Sequence, residues 1–189
     1  MNFNKDILLI DTEFSGFNFP KKHDLLQIAA VLLDKITLKE KKSFNIYVRP
    51  SHWKTRDLES MAVNKISWEM VKDAPKLKDA IKKFDAAFPK NVIQAFYVGY
   101  NDKRILIEAY KQAGVKWQFD YHYFDLWALF YGLLAKKNQL KSKKDFAGFG
   151  LEYLIKKLKI KIDENKMHNA LVDCRLEAEI LRRVIKGIM

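Results

Sequence analysis

The sequence predicts a mixed α/β fold, a sheet with helices packed against it, on three observations. Three strand-like runs lie close together near the N-terminus, at Ile7–Ile10, Leu25–Leu33 and Phe44–Val48. Two further strand-like runs, Val92–Val98 and Tyr121–Phe124, then alternate with segments of helical periodicity. Strands first and strands alternating with helices afterwards give a mixed sheet covered by helices. No Gly/Ser/Pro-rich linker and no repeat of fixed period divides the chain, so residues 1–189 are read as one domain.

Ile7–Ile10 is a short continuous apolar run, as expected for a central strand covered on both faces. Leu25–Leu33 is a second such run. Phe44, Ile46 and Val48 alternate with Asn45 and Tyr47, and Arg49-Pro50 closes the strand. The short connections among these three favour an antiparallel meander. Ser67–Val71 reads as a short helix. Leu77, Ile81, Phe84 and Phe88 recur at helical spacing until Pro89. Lys103–Ala113 is read as a helix closed by Gly114, and a further helix covers about Leu126 to Ala135. The polar, basic stretch 136–144 is a loop candidate. Leu151, Leu154, Ile155 and Leu158 mark another helix, and the last runs from about Ala170 to Ile185.

With 49% hydrophobic residues, the chain can build a packed core. No apolar stretch approaches the roughly 20 residues of a membrane span. The segment Met1-Asn2-Phe3-Asn4-Lys5 lacks a secretory layout, and the one cysteine, Cys174, excludes an internal disulfide and a cysteine-based zinc site. A reducing, cytoplasmic setting is therefore expected. The net charge of +12, from 35 basic and 23 acidic residues, suits a polyanionic partner. Most of the basic residues are lysines, which serve phosphate contact better than forked base reading.

Against this background the acidic residues stand out. Asp11 and Glu13 follow the first strand directly, and a period of two turns both carboxylates the same way if the strand continues. Buried charge is costly unless it is paired or binds metal. His168 and Asp173 are five positions apart, too far to share one face of a continuous helix. They can converge if His168 lies in a loop, Asn169 caps the helix, and Asp173 falls in its first turn. A third acid between these ends is Asp102, which follows the Val92–Val98 strand and opens a helix; Asp125 is its rival, also between a strand and a helix. Asp102 is preferred because Ile105 and Leu106 can fix its helix against the sheet.

The three segments resemble the motifs of the DEDDh 3′–5′ exonuclease family, which includes polymerase proofreading subunits and several ribonucleases. Asp11-Thr12-Glu13-Phe14-Ser15-Gly16-Phe17 is similar to the first motif, Asp-x-Glu-Thr-Thr-Gly-Leu. Asp102-Lys103-Arg104-Ile105-Leu106 resembles the second, an Asp followed by an apolar pair. His168-Asn169-Ala170-Leu171-Val172-Asp173 matches the third, His-x-Ala-x-x-Asp. The second departs most: Gly99-Tyr100-Asn101-Asp102 stands where proofreading members often carry His-Asn-x-x-Phe-Asp.

The resemblance implies a ribonuclease H-like mixed five-stranded sheet and removal of nucleoside 5′-monophosphates from the 3′ end of single-stranded RNA or DNA. It further implies two divalent cations, Mg²⁺ or Mn²⁺, held by Asp11, Glu13, Asp102 and Asp173, with Asp11 bridging the pair and His168 as general base. Thr12, Phe14, Ser15, Gly16 and Phe17 would lie beside the substrate, with Gly16 admitting the 3′ nucleotide and a phenylalanine stacking on a base. The 136–144 loop is a candidate phosphate rim. His23, His52 and His122 are expected in structural or surface roles, the four tryptophans in packing, and Cys174 in the helix interface. A membrane partner is not expected; a polymerase or other protein partner is left open. Two rival readings are a non-catalytic nucleic-acid-binding or polymerase-associated module and an endonuclease on the same fold.

Overall fold

Strand β1 (Ile7–Phe14) is the middle of a five-stranded sheet of order β3-β2-β1-β4-β5, in a computed structural model that describes residues 3–140, 146, 148–162, 167–185 and 187. β2 (Leu25–Leu33) pairs antiparallel with β1, and β3 (Glu40–Tyr47) antiparallel with β2, forming the expected meander. β4 (Ile93–Phe96) runs parallel to β1, and β5 (Phe124–Asp125) parallel to β4. The sheet is therefore mixed.

The helices are α1 (Leu58–Asn64), α2 (Trp68–Val71), α3 (Leu77–Ala87), α4 (Gly99–Ala113), α5 (Leu126–Lys136), α6 (Leu151–Lys157) and α7 (Ala170–Ile185). They cover both faces of the sheet. Ile7, Leu9, Ala29, Val31 and Leu33 pack with residues of α5, α6 and α7. Leu8, Ile10, Ile28, Ala30 and Leu32 pack with residues of α3 and α4. Burial on both sides explains why β1 and β2 read as unbroken apolar runs. At about 25 cal/mol per Å² of apolar surface, these two layers are the main stabilising term.

Several boundaries differ from the sequence reading. β1 does not end at Ile10 but continues through Asp11, Thr12 and Glu13, which pair with Ala29, Ile28 and Gln27 of β2. β3 starts at Glu40 and ends at Tyr47, and β5 is only Phe124–Asp125. β4 stops at Phe96. Val98 adopts a left-handed conformation (φ 55°), and this reversal starts α4 at Gly99, four residues earlier than expected. Asp102 therefore sits inside the first turn instead of capping the helix. α1 was not anticipated; Asp57 caps it by accepting the Ser60 backbone N–H at 2.8 Å. Among the described residues, no helix is long and apolar enough to cross a membrane.

Candidate active site

Residue parity along β1 distributes the site. Asp11 and Glu13 share the strand face of Ile7 and Leu9, toward α7, whereas Thr12 shares that of Leu8 and Ile10, toward α4. On α7, Asp173 lies in the first turn and is buried. One oxygen each from Asp11, Glu13 and Asp173 lie within 4.8 Å of one another. On the opposite side, Asp102 Oδ1 accepts the Thr12 backbone N–H at 3.1 Å and also the Thr12 hydroxyl. The two halves of the first motif thus reach different helices, and all four acids line one cleft of about 700 Å³.

The start of α7 is tied to the sheet by Gln27, which is fully buried inside the apolar β2. Its Oε1 accepts the Ala170 N–H at 3.4 Å while its Nε2 donates to Asn45 Oδ1 at 2.8 Å. Asn169 Oδ1 accepts the Val172 N–H at 3.4 Å, in the capping role expected of it. His168 precedes it with a left-handed backbone (φ 61°), and its backbone N–H faces the Asp173 carboxyl closely enough to oppose the rise of its pKa. The His168 imidazole lines the cleft, with Nε2 3.8 Å from Glu152 Oε1 of α6. Histidine and acid therefore converge through a turn and not along a helix.

Asp102 and Asp125, the two candidates for the third acid, are placed differently. Asp102 lines the cleft; Asp125 does not. Both Asp125 oxygens serve the backbone: Oδ1 accepts the Ala128 N–H at 3.0 Å as the cap of α5, and Oδ2 the Gly99 N–H at 3.1 Å.

Thr12, Phe14 and Phe17 line the cleft, and Phe17 is 62% exposed with its ring edge-on to Phe14 at 5.1 Å. Ser15 and Gly16 are not among the lining residues. Ser15 is fully buried and holds the following loop, its Oγ accepting the Asp24 N–H at 2.8 Å. Gly16 is required by packing within that loop: its φ is 141°, and an added Cβ would fall 2.3 Å from the His23 ring. His23, His52 and His122 bond to Asn18, Asp24 and Asp120, respectively. Cys174 is buried against β2. Of the basic stretch, Lys136 ends α5, and residues 141–144 lie outside the described residues.

Several lining residues were not foreseen, notably Tyr97, Asn101, Lys156 and Glu177. Glu177 had a legible signal. It follows Asp173 by one helical turn on the stripe that carries buried Ala170, Cys174, Ala178 and Leu181. An acid on a core-facing stripe is unusual enough to mark a site.

The electrostatics are strongly one-sided. Burial, then Asp102, Glu13, Glu177 and Asp173 in that order, holds the Asp11 carboxyl well above its ordinary range. Burial followed by Asp173 and Asp102 raises Glu13 to about 9. Burial brings Asp173 to about 7 against the opposing His168 N–H, and Asp102 to about 6 against its Thr12 bonds. Among the described residues, Asp173 Oδ1 and Glu177 Oε2 are buried without a hydrogen-bond partner. The charged groups that drive these shifts are acids. An all-oxygen donor set carrying excess negative charge and orphaned oxygens fits hard divalent cations.

The family model described as Exonuclease (RNase T type) matches residues 8–181. No curated protein matches the sequence. Among solved structures, cell-death related nuclease 4 (CRN-4) superposes with a TM-score of 0.79 at 19% identity, over 98% of this chain and 65% of that one. The nuclease domain of 3′hExo, a DEDDh family member bound to rAMP, gives 0.77 at 18%, over 99% and 95%. E. coli exonuclease I in complex with a dA16 oligonucleotide gives 0.80 at 16%, over 97% and 41%. The chain thus spans less than two thirds of CRN-4 and of exonuclease I, but nearly all of the 3′hExo nuclease domain. With its mixed five-stranded sheet and its three acidic motifs, the chain belongs to the exonuclease family whose model matches residues 8–181.

Proposed function

We propose that this protein is a metal-dependent 3′–5′ exonuclease that shortens single-stranded RNA or DNA and releases nucleoside 5′-monophosphates, with residues 1–189 forming one catalytic domain. The observation that carries the reading is the convergence of Asp11, Glu13 and Asp173 within 4.8 Å on the floor of a cleft with His168 in its wall.

In this reading Asp11, Glu13, Asp102 and Asp173 hold two divalent cations, Mg²⁺ or Mn²⁺. Cations bound there neutralise the clustered carboxylates and the substrate phosphate and make a water easier to ionise. Asp102 is held rigid by Thr12, so its position is set before substrate arrives. His168 accepts the proton of the attacking water. Its side chain is 40% exposed, so the proton can pass on to solvent. Water attacks the terminal phosphodiester in line, the bond to the 3′ oxygen of the upstream nucleotide breaks, and the 5′-phosphate stays on the released nucleotide.

The walls suit a nucleotide. Phe14 and Phe17 offer ring surface for base stacking, a sequence-tolerant contact of about 1–3 kcal/mol per base. Lys156 in the α6 wall supplies a cation for phosphate. The likeness to 3′hExo and to other 3′-exonuclease structures supports the direction of attack.

The test is a 5′-labelled oligonucleotide incubated with the protein and Mg²⁺ or Mn²⁺. The expected result is a ladder shortening from the 3′ end, abolished by EDTA. Folded protein that binds the strand without shortening it would support a non-catalytic module instead. Cutting of a circular strand would make it an endonuclease. Parallel RNA and DNA strands assign the sugar preference.

A further inference from the structure

Glu177 has no role in the site as described so far, yet its position demands one. It is 2% exposed, and its Oε2 has no hydrogen-bond partner among the described residues. It lies one turn beyond Asp173 on the sheet-facing stripe of α7 and lines the same cleft as the four motif acids. Buried carboxylates in native cores have donors for their oxygens, because an unsatisfied one destabilises the fold. Here the charged neighbours are Asp11, Asp102 and Asp173, all of the same sign. A leucine or alanine would continue the stripe at no electrostatic cost. Packing alone therefore does not account for an acid at this position.

We infer that Glu177 is a fifth acidic group of the metal site, holding a cation from the α7 side, directly or through one water, together with Asp11 and Asp173. This rests on the metal-dependent reading above and adds to it a residue outside the three motifs. The group of three oxygens within 4.8 Å is made by Asp11, Glu13 and Asp173, and Glu177 lines the same cleft beside it. A cation drawn to the free Oε2 would relieve the one buried oxygen on α7, besides Asp173 Oδ1, that lacks a partner among the described residues.

The test is Mn²⁺ titration in the absence of nucleic acid, following free Mn²⁺ by electron paramagnetic resonance and Mn²⁺-induced stabilisation by thermal unfolding. Wild type, Glu177→Gln, Glu177→Ala and Asp173→Asn are compared. Glutamine keeps the size and polarity of the side chain and removes only its charge; alanine opens room for water. At least tenfold weaker Mn²⁺ binding and a smaller Mn²⁺-induced rise in Tm are expected for both Glu177 variants, with metal-free Tm no lower than wild type for Glu177→Gln. Mn²⁺ affinity within twofold of wild type in either folded Glu177 variant, with Asp173→Asn weakened, would overturn this inference and leave the site reading standing. Wild type that binds no Mn²⁺ would overturn both.

Discussion

The two halves of β1 share one geometry and opposite electrostatics. Ile7–Ile10 is buried on both faces and contributes to the apolar layers on either side. Asp11–Phe14 continues the same strand and keeps its pairing to β2 through Glu13 before the register shifts at Phe14, yet alternate positions carry carboxylates toward α7. In the first half, burial stabilises the fold. In the second, burial raises the carboxyl pKa values and works against the fold until something positive arrives. The contrast locates function: a strand that could have ended in apolar residues carries unpaired charge where the cleft opens.

The largest effect is expected from removing an acid of the second half. Asp11→Asn and Asp173→Asn are expected to abolish 3′ shortening while raising metal-free Tm, because each removes one member of a repulsive cluster. A variant that stays active, or loses metal-free stability, would contradict the contrast. His168→Ala is expected to lower turnover by roughly 10²–10⁴-fold while leaving Mn²⁺ affinity near wild type, since a general base acts on the proton and not on the cation. Steady-state kinetics with a metal titration separate the two.

The first half responds in the other currency. Leu9 is fully buried between β1 and α7, and Leu9→Ala should cost about 2–5 kcal/mol of stability in chemical denaturation. Its activity per folded molecule should change far less than that of the aspartate variants.

The metal-free protein should also carry a distinctive pH dependence. Folding raises Asp173 to about 7 and Glu13 to about 9, above the roughly 4 of unfolded carboxyls. Between those limits the folded state binds more protons than the unfolded, so stability is greatest at the acid end of the window and falls as pH rises through it. Saturating Mg²⁺ or Mn²⁺ should flatten the slope. A metal-free Tm that rises from pH 5 to 8 would contradict the account. The smallest effect is expected from Thr12→Val, which removes the hydroxyl but not the backbone bond to Asp102 and should cost about 0.5–1.5 kcal/mol.

Much of this was legible in the residues. The meander followed from Ile7–Ile10 and Leu25–Leu33, whose unbroken hydrophobicity reports burial on both faces. The convergence of Asp11, Glu13 and Asp173 followed from motif order. Other features needed three dimensions. The acids masked the continuation of β1, since charge ordinarily signals a strand end. Val98 in the left-handed region, an unusual choice for a β-branched residue, hid the true start of α4. α1 went unseen because Leu58 and Val63 are exposed, leaving no apolar stripe to read. Ser15 and Gly16 continue the first motif but hold their own loop and do not line the cleft.

Acids distant in sequence are proposed to form one cation site. Anomalous diffraction from crystals soaked in Mn²⁺ tests it most directly. Manganese peaks are expected within bonding distance of Asp11, Glu13 and Asp173, with Asp102 facing the same density. Soaked crystals with an empty cluster, or manganese bound only at other surfaces, would contradict it.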